Sequence, residues 1–455
     1  MHKDNQVVVT GIGLVTPLGC NYNEVWNSLL AGENGIRRLS GDFSRLSENQ
    51  VYIGGVMPEL PFHQLKMMNS GYKAKCRHLG PTAKMLIYAG LKALEDANLS
   101  TPDDTQRYNI GAVVGAGSTL AEEYDGIPLE DRNPKWFLET YPNLLLSHLA
   151  SAASLKGFGC TILSACAGGN QAIGEAMKKI QRGEETVLLA GAVDNKLSYL
   201  HTSGFSRLKM CSTSDDPESA VKPFDKNRNG FVIGQGACML VLESLSNALK
   251  RGADIKGRIV GYGNALDGGS LTDASYKGKI AAMQRALDDA GLQADGIGYI
   301  NAHGTSTVSN DKEESIAIKE VFGNKSYEIP VSSTKSMIGH TFAACGAIEA
   351  FVCIKSLLDQ RVHITRNFQE GDQFCNLDYV KGSARDVKMD YCISNTSGLG
   401  GYNSSLFLQG FKLCGGYHGK CSSHQRNRNF KSIGNWIRRS HNCLERWKKH
   451  SQGFR

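Results

Sequence analysis

Short apolar, β-branched runs that end at glycine turns recur along this chain, separated by stretches with helical spacing. Val7 to Ile12, Ile110 to Val114, Cys160 to Leu163 and Val187 to Ala190 read as buried strands, each too short for a helix and bounded by turn residues. Thr82 to Ala97 and Asn170 to Arg182 place apolar residues three and four apart, which predicts helices. A second series runs from about Ile255 to Phe411. Its predicted strands are Gly257 to Gly263, Ile297 to Ala302, Ile329 to Ser332, Cys392 to Asn395 and Leu406 to Leu408, with helices over Ile280 to Ala290 and Ala344 to Leu358. Strands and helices that alternate in this way belong to an α/β protein. Two similar halves, 1–250 and 251–411, are expected, with antiparallel returns near the end of each.

Composition changes the picture mainly through charge. The formal +7 is unevenly spread: residues 412–455 hold 11 Lys or Arg against one acid, Glu445, which leaves 40 basic and 43 acidic residues, or −3, for residues 1–411. Attraction to nucleic acid or a membrane surface is therefore an argument about the tail alone. The first residues lead straight into Val7-Val8-Val9 without a signal-peptide core, and no stretch of 18 apolar residues follows, so a cytoplasmic protein without a transmembrane segment is expected. Thirteen cysteines, an odd number scattered through a long chain, argue against a disulfide framework.

One of those cysteines is placed to react. Cys166 lies in Leu163-Ser164-Ala165-Cys166-Ala167-Gly168-Gly169-Asn170, where an apolar run breaks at small residues before a helical pattern continued by Ile173, Ala176, Met177 and Ile180. A helix that starts just after the sulfur would aim free N–H groups at it and favour thiolate. Two histidines occupy glycine-edged sites after strand-like runs, in Asn301-Ala302-His303-Gly304-Thr305-Ser306-Thr307 and in Lys335-Ser336-Met337-Ile338-Gly339-His340. A cysteine at a helix start, two loop histidines and a nearby lysine are the groups that carbon–carbon bond formation through an acyl-thioester requires.

Further motifs stand in the same order along residues 6–411: Val8-Val9-Thr10-Gly11-Ile12-Gly13 with Thr16-Pro17-Leu18-Gly19, Lys222-Pro223-Phe224-Asp225 with Asn229-Gly230-Phe231-Val232, and Gly398-Leu399-Gly400-Gly401. With these, the chain resembles the β-ketoacyl-acyl-carrier-protein synthases, the elongating condensing enzymes of the thiolase-like superfamily. The resemblance implies a five-layered αβαβα fold of two fused βαβαβαββ halves, the nucleophile in the first and both histidines in the second, and a homodimer. It implies decarboxylative condensation of malonyl-acyl-carrier-protein with an acyl group held on Cys166, in fatty acid biosynthesis. In that mechanism the N–H groups of Cys166 and Leu399 hold one oxyanion. Neutral His303 and His340 donate to the enolate, and Lys335 supports them. Thr305 and Thr307 bind the pantetheine, Gly398 and Gly400 shape the gate, and Glu349 lies beneath the site. No resident cofactor or metal is implied, since the phosphopantetheine arrives on the acyl carrier protein.

The same resemblance separates the chain from relatives. Initiating synthases use Cys-His-Asn, and chain-length factors lack the cysteine. Two other readings stay open: a ketosynthase of a specialised polyketide or aryl-polyene pathway, and a non-condensing partner subunit. Departures gather near the pocket. The gate, usually Phe-Gly-Phe-Gly-Gly, reads Ser397-Gly398-Leu399-Gly400-Gly401; Gly169-Asn170-Gln171 follow the nucleophile; Gly234-Gln235-Gly236 replaces Gly-Glu-Gly; and Phe342, Ala343 and Cys345 follow His340. A branched or unsaturated acyl chain, or one bound for a specialised lipid or polyketide, is the expectation. Lys66, Lys73, Lys75, Arg77 and Arg207 are candidates to meet an acidic carrier protein. The tail, with Cys414, Cys421, Cys443, four histidines and the basic aromatic run from Trp436 to Lys449, has no counterpart in the resemblance. It reads as a disordered basic appendage, with membrane or nucleic-acid contact and metal ligation as the alternatives.

Overall fold

The computed structural model describes residues 6–39, 52–65, 68–73, 79–99, 109–117, 127–132, 136–272 and 275–411. The chain divides after Phe411, so the unit of interest ends there. Lys66, Lys75, Arg77, the Lys73 side chain and the whole of the 412–455 tail, to which several expectations attach, lie outside the described residues.

In the first half β1 (Val7–Val15) is followed by α1 (Pro81–Asp96), β2 (Ile110–Ala116), α2 (Asn143–Ala153), β3 (Gly159–Ile162), α3 (Gly168–Gln181), β4 (Val187–Asp194) and β5 (Gly236–Ser244). The second half repeats this: β6 (Gly257–Leu266), α4 (Tyr276–Ala290), β7 (Tyr299–Asn301), α5 (Val308–Phe322), β8 (Val331–Ser332), α6 (Cys345–Asp359), β9 (Tyr391–Gly398) and β10 (Tyr402–Gln409). The strand orders match as well, β1-β5-β4-β2-β3 and β6-β10-β9-β7-β8. In each, the first two pairings are antiparallel and the last two parallel. A short antiparallel contact, Val7 to Val9 against Ile259 to Gly257, joins them into one ten-stranded sheet. These are two βαβαβαββ units, as expected.

The repeat extends to packing. A Cβ on Gly11 or Gly13 of β1 would come within 2.2 and 2.0 Å of the Ala93 and Ala89 carbonyls of α1. On Gly261 or Gly263 of β6 it would meet the Ala286 and Ala282 carbonyls of α4 at 2.3 and 2.0 Å. Each half thus presses an outer helix onto its first strand at a site only glycine allows. The two central helices, α3 and α6, are covered on nearly every side, which is why α6 is apolar around most of its circumference. No helix among the described residues is long and apolar enough to cross a membrane.

Three elements escape the apolar pattern. β5 is buried at all nine positions and so shows no alternation. α2 is short. α5 buries Asn310, Asp311, Glu314 and Ser315 beside Ala317 and Ile318, so its inward face is largely polar and periodicity does not betray it.

Candidate active site

The backbone turns sharply at the nucleophile. Ala165 sits at φ 49°, in the left-handed region, which costs an alanine about 1–2 kcal/mol, and Ala165–Ala167 form a single 3-10 turn before α3 begins at Gly168. The helix start is crowded: a Cβ on Gly169 would lie 2.6 Å from the Ala347 nitrogen, so α3 and α6 meet backbone to backbone beneath the sulfur. Cys166 itself is buried.

Both histidines reach this point from the second half. His340 follows the left-handed Gly339, and its backbone is pinned on both sides, its N–H donating to the Val232 carbonyl and its carbonyl accepting from Gly234. Its Nε2 lies 3.2 Å from Cys166 Sγ, and its Nδ1 accepts the Phe342 N–H at 3.2 Å. The neutral ring therefore carries its hydrogen on Nε2 and turns that donor toward the sulfur. His303 is set at the end of β7, its ring centre 5.4 Å from that of His340 at an interplanar angle of 81°. Cys166 Sγ and one nitrogen of each imidazole all lie within 4.8 Å of one another. The three side chains, 174 residues apart at the extremes, meet at one buried point.

Both rings are held neutral. Burial is the largest cause that holds His303 and His340 well below the usual imidazole value, and the Lys335 ammonium adds to it. Lys335 Nζ lies 2.5 Å from Glu349 Oε1, both side chains being buried. Burial alone would lower the lysine; the groups that face it, Glu349 among them, outweigh that and keep it charged. One expectation is corrected here. A helix start was to favour thiolate, but desolvation dominates and pushes the Cys166 thiol up to about 12, with Lys335 and a backbone N–H pulling the other way. The resting nucleophile is S–H.

The His303 loop is held by two carboxylates that no motif flagged. Glu314 accepts from the N–H groups of His303 and Gly304 at 2.7 and 2.8 Å. Asp311 accepts from Thr305 at 2.9 Å, Ser306 at 3.1 Å and Phe224 at 2.8 Å. Five backbone donors are thereby satisfied inside the protein. The only sequence signal was two acids three apart, just after Thr307, the N-cap of α5. A third, Asp194 at the end of β4, accepts the Ala343 N–H at 3.0 Å and fixes the turn after His340.

Cys166, His303 and His340 open onto a cavity of about 400 Å³ that also reaches Thr305, Thr307, Gly398 and Leu399. Thr305 and Thr307 share a hydrogen bond of 2.8 Å between their hydroxyls. A Cβ on Gly398 would stand 2.9 Å from the Cys166 nitrogen, so the gate passes directly over the nucleophile, followed by Gly400 at φ 82° and a half-exposed Leu399. Three phenylalanines wall the other side. Phe342 stacks on His340, centres 4.4 Å apart, and packs with Phe205 and Phe231 at 5.1 and 5.6 Å. At the mouth Lys209 is exposed, as is Arg207, which ends the helix Tyr199–Arg207.

The chain is similar to known proteins in sequence and in fold. The family model described as β-ketoacyl synthase, N-terminal domain, matches residues 4–248, and that for the C-terminal domain matches residues 256–369. A 3-oxoacyl-[acyl-carrier-protein] synthase 2 of Staphylococcus aureus (strain N315) is 35% identical over 426 residues, spanning 90% of this chain and all of that one. Among solved structures, a β-ketoacyl synthase from Burkholderia phymatum STM815 superposes with TM-score 0.82 at 34% identity, covering 90% of this chain and 100% of its own. The ketosynthase of the AntDE:AntF assembly, a type II polyketide synthase complex with its acyl-carrier protein, does so with TM-score 0.80 at 28% identity over the same shares.

Proposed function

The chain belongs to the β-ketoacyl synthase family, and on that premise we propose its reaction in terms of its own residues: it acts as a 3-oxoacyl-[acyl-carrier-protein] synthase of fatty acid biosynthesis. Cys166 attacks an acyl thioester brought by the carrier protein. The C–S bond to the pantetheine breaks, and the leaving sulfur takes the proton that Cys166 gives up. Because the resting thiol is neutral, charge on Sγ develops only during attack, where the Nε2–H of His340 and the Lys335 ammonium meet it.

Malonyl thioester enters next. Its carboxylate leaves as carbon dioxide, the bonding pair passes to an enolate, and His303 and His340, held neutral, donate to the enolate oxygen. A neutral N–H donor suits this step because it stabilises the anion without first surrendering its proton. The enolate carbon then attacks the acyl carbon on Cys166, and the oxyanion falls to the N–H groups of Cys166 and Leu399. The C–S bond breaks, and one proton restores the thiol. Thr305 and Thr307 take the pantetheine, Gly398 and Gly400 let the gate move, and Glu349 keeps Lys335 charged. The reaction in this form needs no resident cofactor. The observation that carries the reading is the approach of one sulfur and two imidazole nitrogens to within 4.8 Å on the wall of a cavity. Incubation with acyl-carrier-protein and mass spectrometry test it: an acyl adduct on Cys166 supports it, and a chain that stays unmodified points to a non-condensing subunit.

Acyl selection follows from the aromatic wall. With Phe205, Phe231 and Phe342 packed beside Sγ, short acyl groups fit best, and Phe342→Ala is expected to shift the chain-length optimum of Cys166 acylation upward by several carbons. An unchanged chain-length profile would remove the phenylalanine from that role.

We propose a homodimer and a cytoplasmic location, with the acidic carrier docking at Arg207 and Lys209. Strand β3 ends the sheet with one edge unpaired among the described residues, and Leu163 beyond it is 57% exposed. Edges of this kind are normally covered. Leu163→Arg is expected to convert the dimer to monomer in sedimentation velocity; a wild-type monomer would refute the assembly.

A further inference from the structure

One lysine in the cavity takes no part in the steps above. Lys279, in the first turn of α4, is buried yet lines the cavity with Cys166 and His303. Its Nζ donates to Ser397 Oγ at 2.5 Å and to Asn310 Oδ1 at 3.0 Å, both neutral oxygens. Among the described residues no carboxylate forms an ion pair with it. The acids around it are committed elsewhere: Glu314 and Asp311 to the backbone of the His303 loop, and Asp267 to the Asn403 amide at 2.9 Å. Burial draws the Lys279 pKa down, against the pull of Glu314, Asp267, Asp311 and Glu313.

An ammonium whose own bonds go to neutral acceptors, while the carboxylates around it are bonded elsewhere, keeps a charge without a direct ion pair and a third N–H. The next anion to enter the cavity meets both. The position also depends on this chain's gate, since Ser397 stands where the resemblance has a phenylalanine, which offers no oxygen.

We propose that Lys279, held by Ser397 and Asn310, is a carboxylate-recognition residue of the cavity, which takes the free carboxylate of the malonyl thioester. The proposal rests on the condensing reaction above and adds to it a charge that tells the two substrates apart. An ordinary acyl thioester carries no anion on its acyl group; malonyl does. Lys279 therefore acts on the second substrate and leaves the first alone.

Lys279→Met in the full chain tests this. The KM for malonyl-carrier-protein is expected to rise about 10- to 100-fold, the range of a hydrogen bond to a charged group, while acylation of Cys166 by butyryl-carrier-protein stays within about twofold of wild type on the same grounds. That acylation also reports that the variant is folded. Should the methionine variant fail it, Lys279→Arg, which keeps the charge, is expected to retain the malonyl KM, and a rise there overturns the proposal. A carboxylated primer gives the second arm: if glutaryl-carrier-protein acylates wild type faster than butyryl-carrier-protein and Lys279→Met reverses the order, the carboxylate recognised is the primer's. An unchanged malonyl KM overturns the proposal, whatever the primer preference. Wild type that takes no acyl group at all refutes the condensing reaction itself, which is a different result.

Discussion

Cys166→Ala is expected to form no acyl adduct and to lose condensation by at least about 10⁴-fold, the scale on which removal of a nucleophile acts. A second activity should survive it. The two imidazoles that receive the enolate are untouched, so malonyl-carrier-protein should still release carbon dioxide, now uncoupled from carbon–carbon bond formation. Product analysis by mass spectrometry, together with measured carbon dioxide release, separates the two. Condensation retained by the alanine variant would end the case for Cys166. The paired outcome matters because it assigns the sulfur and the histidines to different steps, although they occupy one point in space.

His303→Ala and His340→Ala are each expected to lower condensation by about 10²- to 10³-fold, the usual consequence of deleting one oxyanion donor. They should differ in the first step. His340 Nε2 is the group 3.2 Å from Sγ, so its loss also slows acylation of Cys166, whereas loss of His303 leaves acylation nearly intact. Single-turnover acylation distinguishes them, and equal effects would contradict the geometry. Acidity supplies an independent check. Both rings titrate well below 6.5, chiefly because they are buried, so activity should stay flat as pH falls from 8 through 6.5. Stability behaves similarly: a histidine that stays neutral when folded but binds a proton when unfolded contributes fully above about 6.5, and that contribution is lost as pH drops below it. A condensation rate that halves near pH 6.5 would indicate solvated imidazoles.

What the bare sequence disclosed depended on whether a residue's role left a mark on its neighbours. Strands such as Val187–Asp194 and helices such as Pro81–Asp96 are covered by apolar side chains, and periodicity finds them. Cys166, His303 and His340 stand in short motifs because a reacting group needs a particular turn on either side. Their convergence was expected from resemblance, with Lys335 as support and Glu349 beneath the site; that those two pair with each other is shown only by the structure, and no spacing alone places groups so distant in the chain together. Asp311, Glu314 and Asp194 went unmarked since they act on backbone N–H groups, which every loop possesses. The helix that carries Asp311 and Glu314, α5, was missed for the same reason: a face turned toward a polar loop has little apolar pattern to read. The protonation state of Cys166 was misjudged because desolvation belongs to the folded surroundings and is invisible in the residues next to it. Lys279 drew no notice at all, for a lysine in an amphipathic helix is ordinarily a solvent residue.

The repeated strand order carries a final consequence. One repeat supplies the sulfur and the other both imidazoles, so neither can be a smaller, weaker version of the whole. A slip of one repeat past the other by even a single bond length would leave every local turn intact and still part sulfur from nitrogen. The close crossing at Gly169 and Ala347 forbids that slip, acting as a keyway that locks the registration of the two repeats. Chemistry in this protein is thus a property of alignment, and a lesion far from the thiol can silence it simply by shifting the seam.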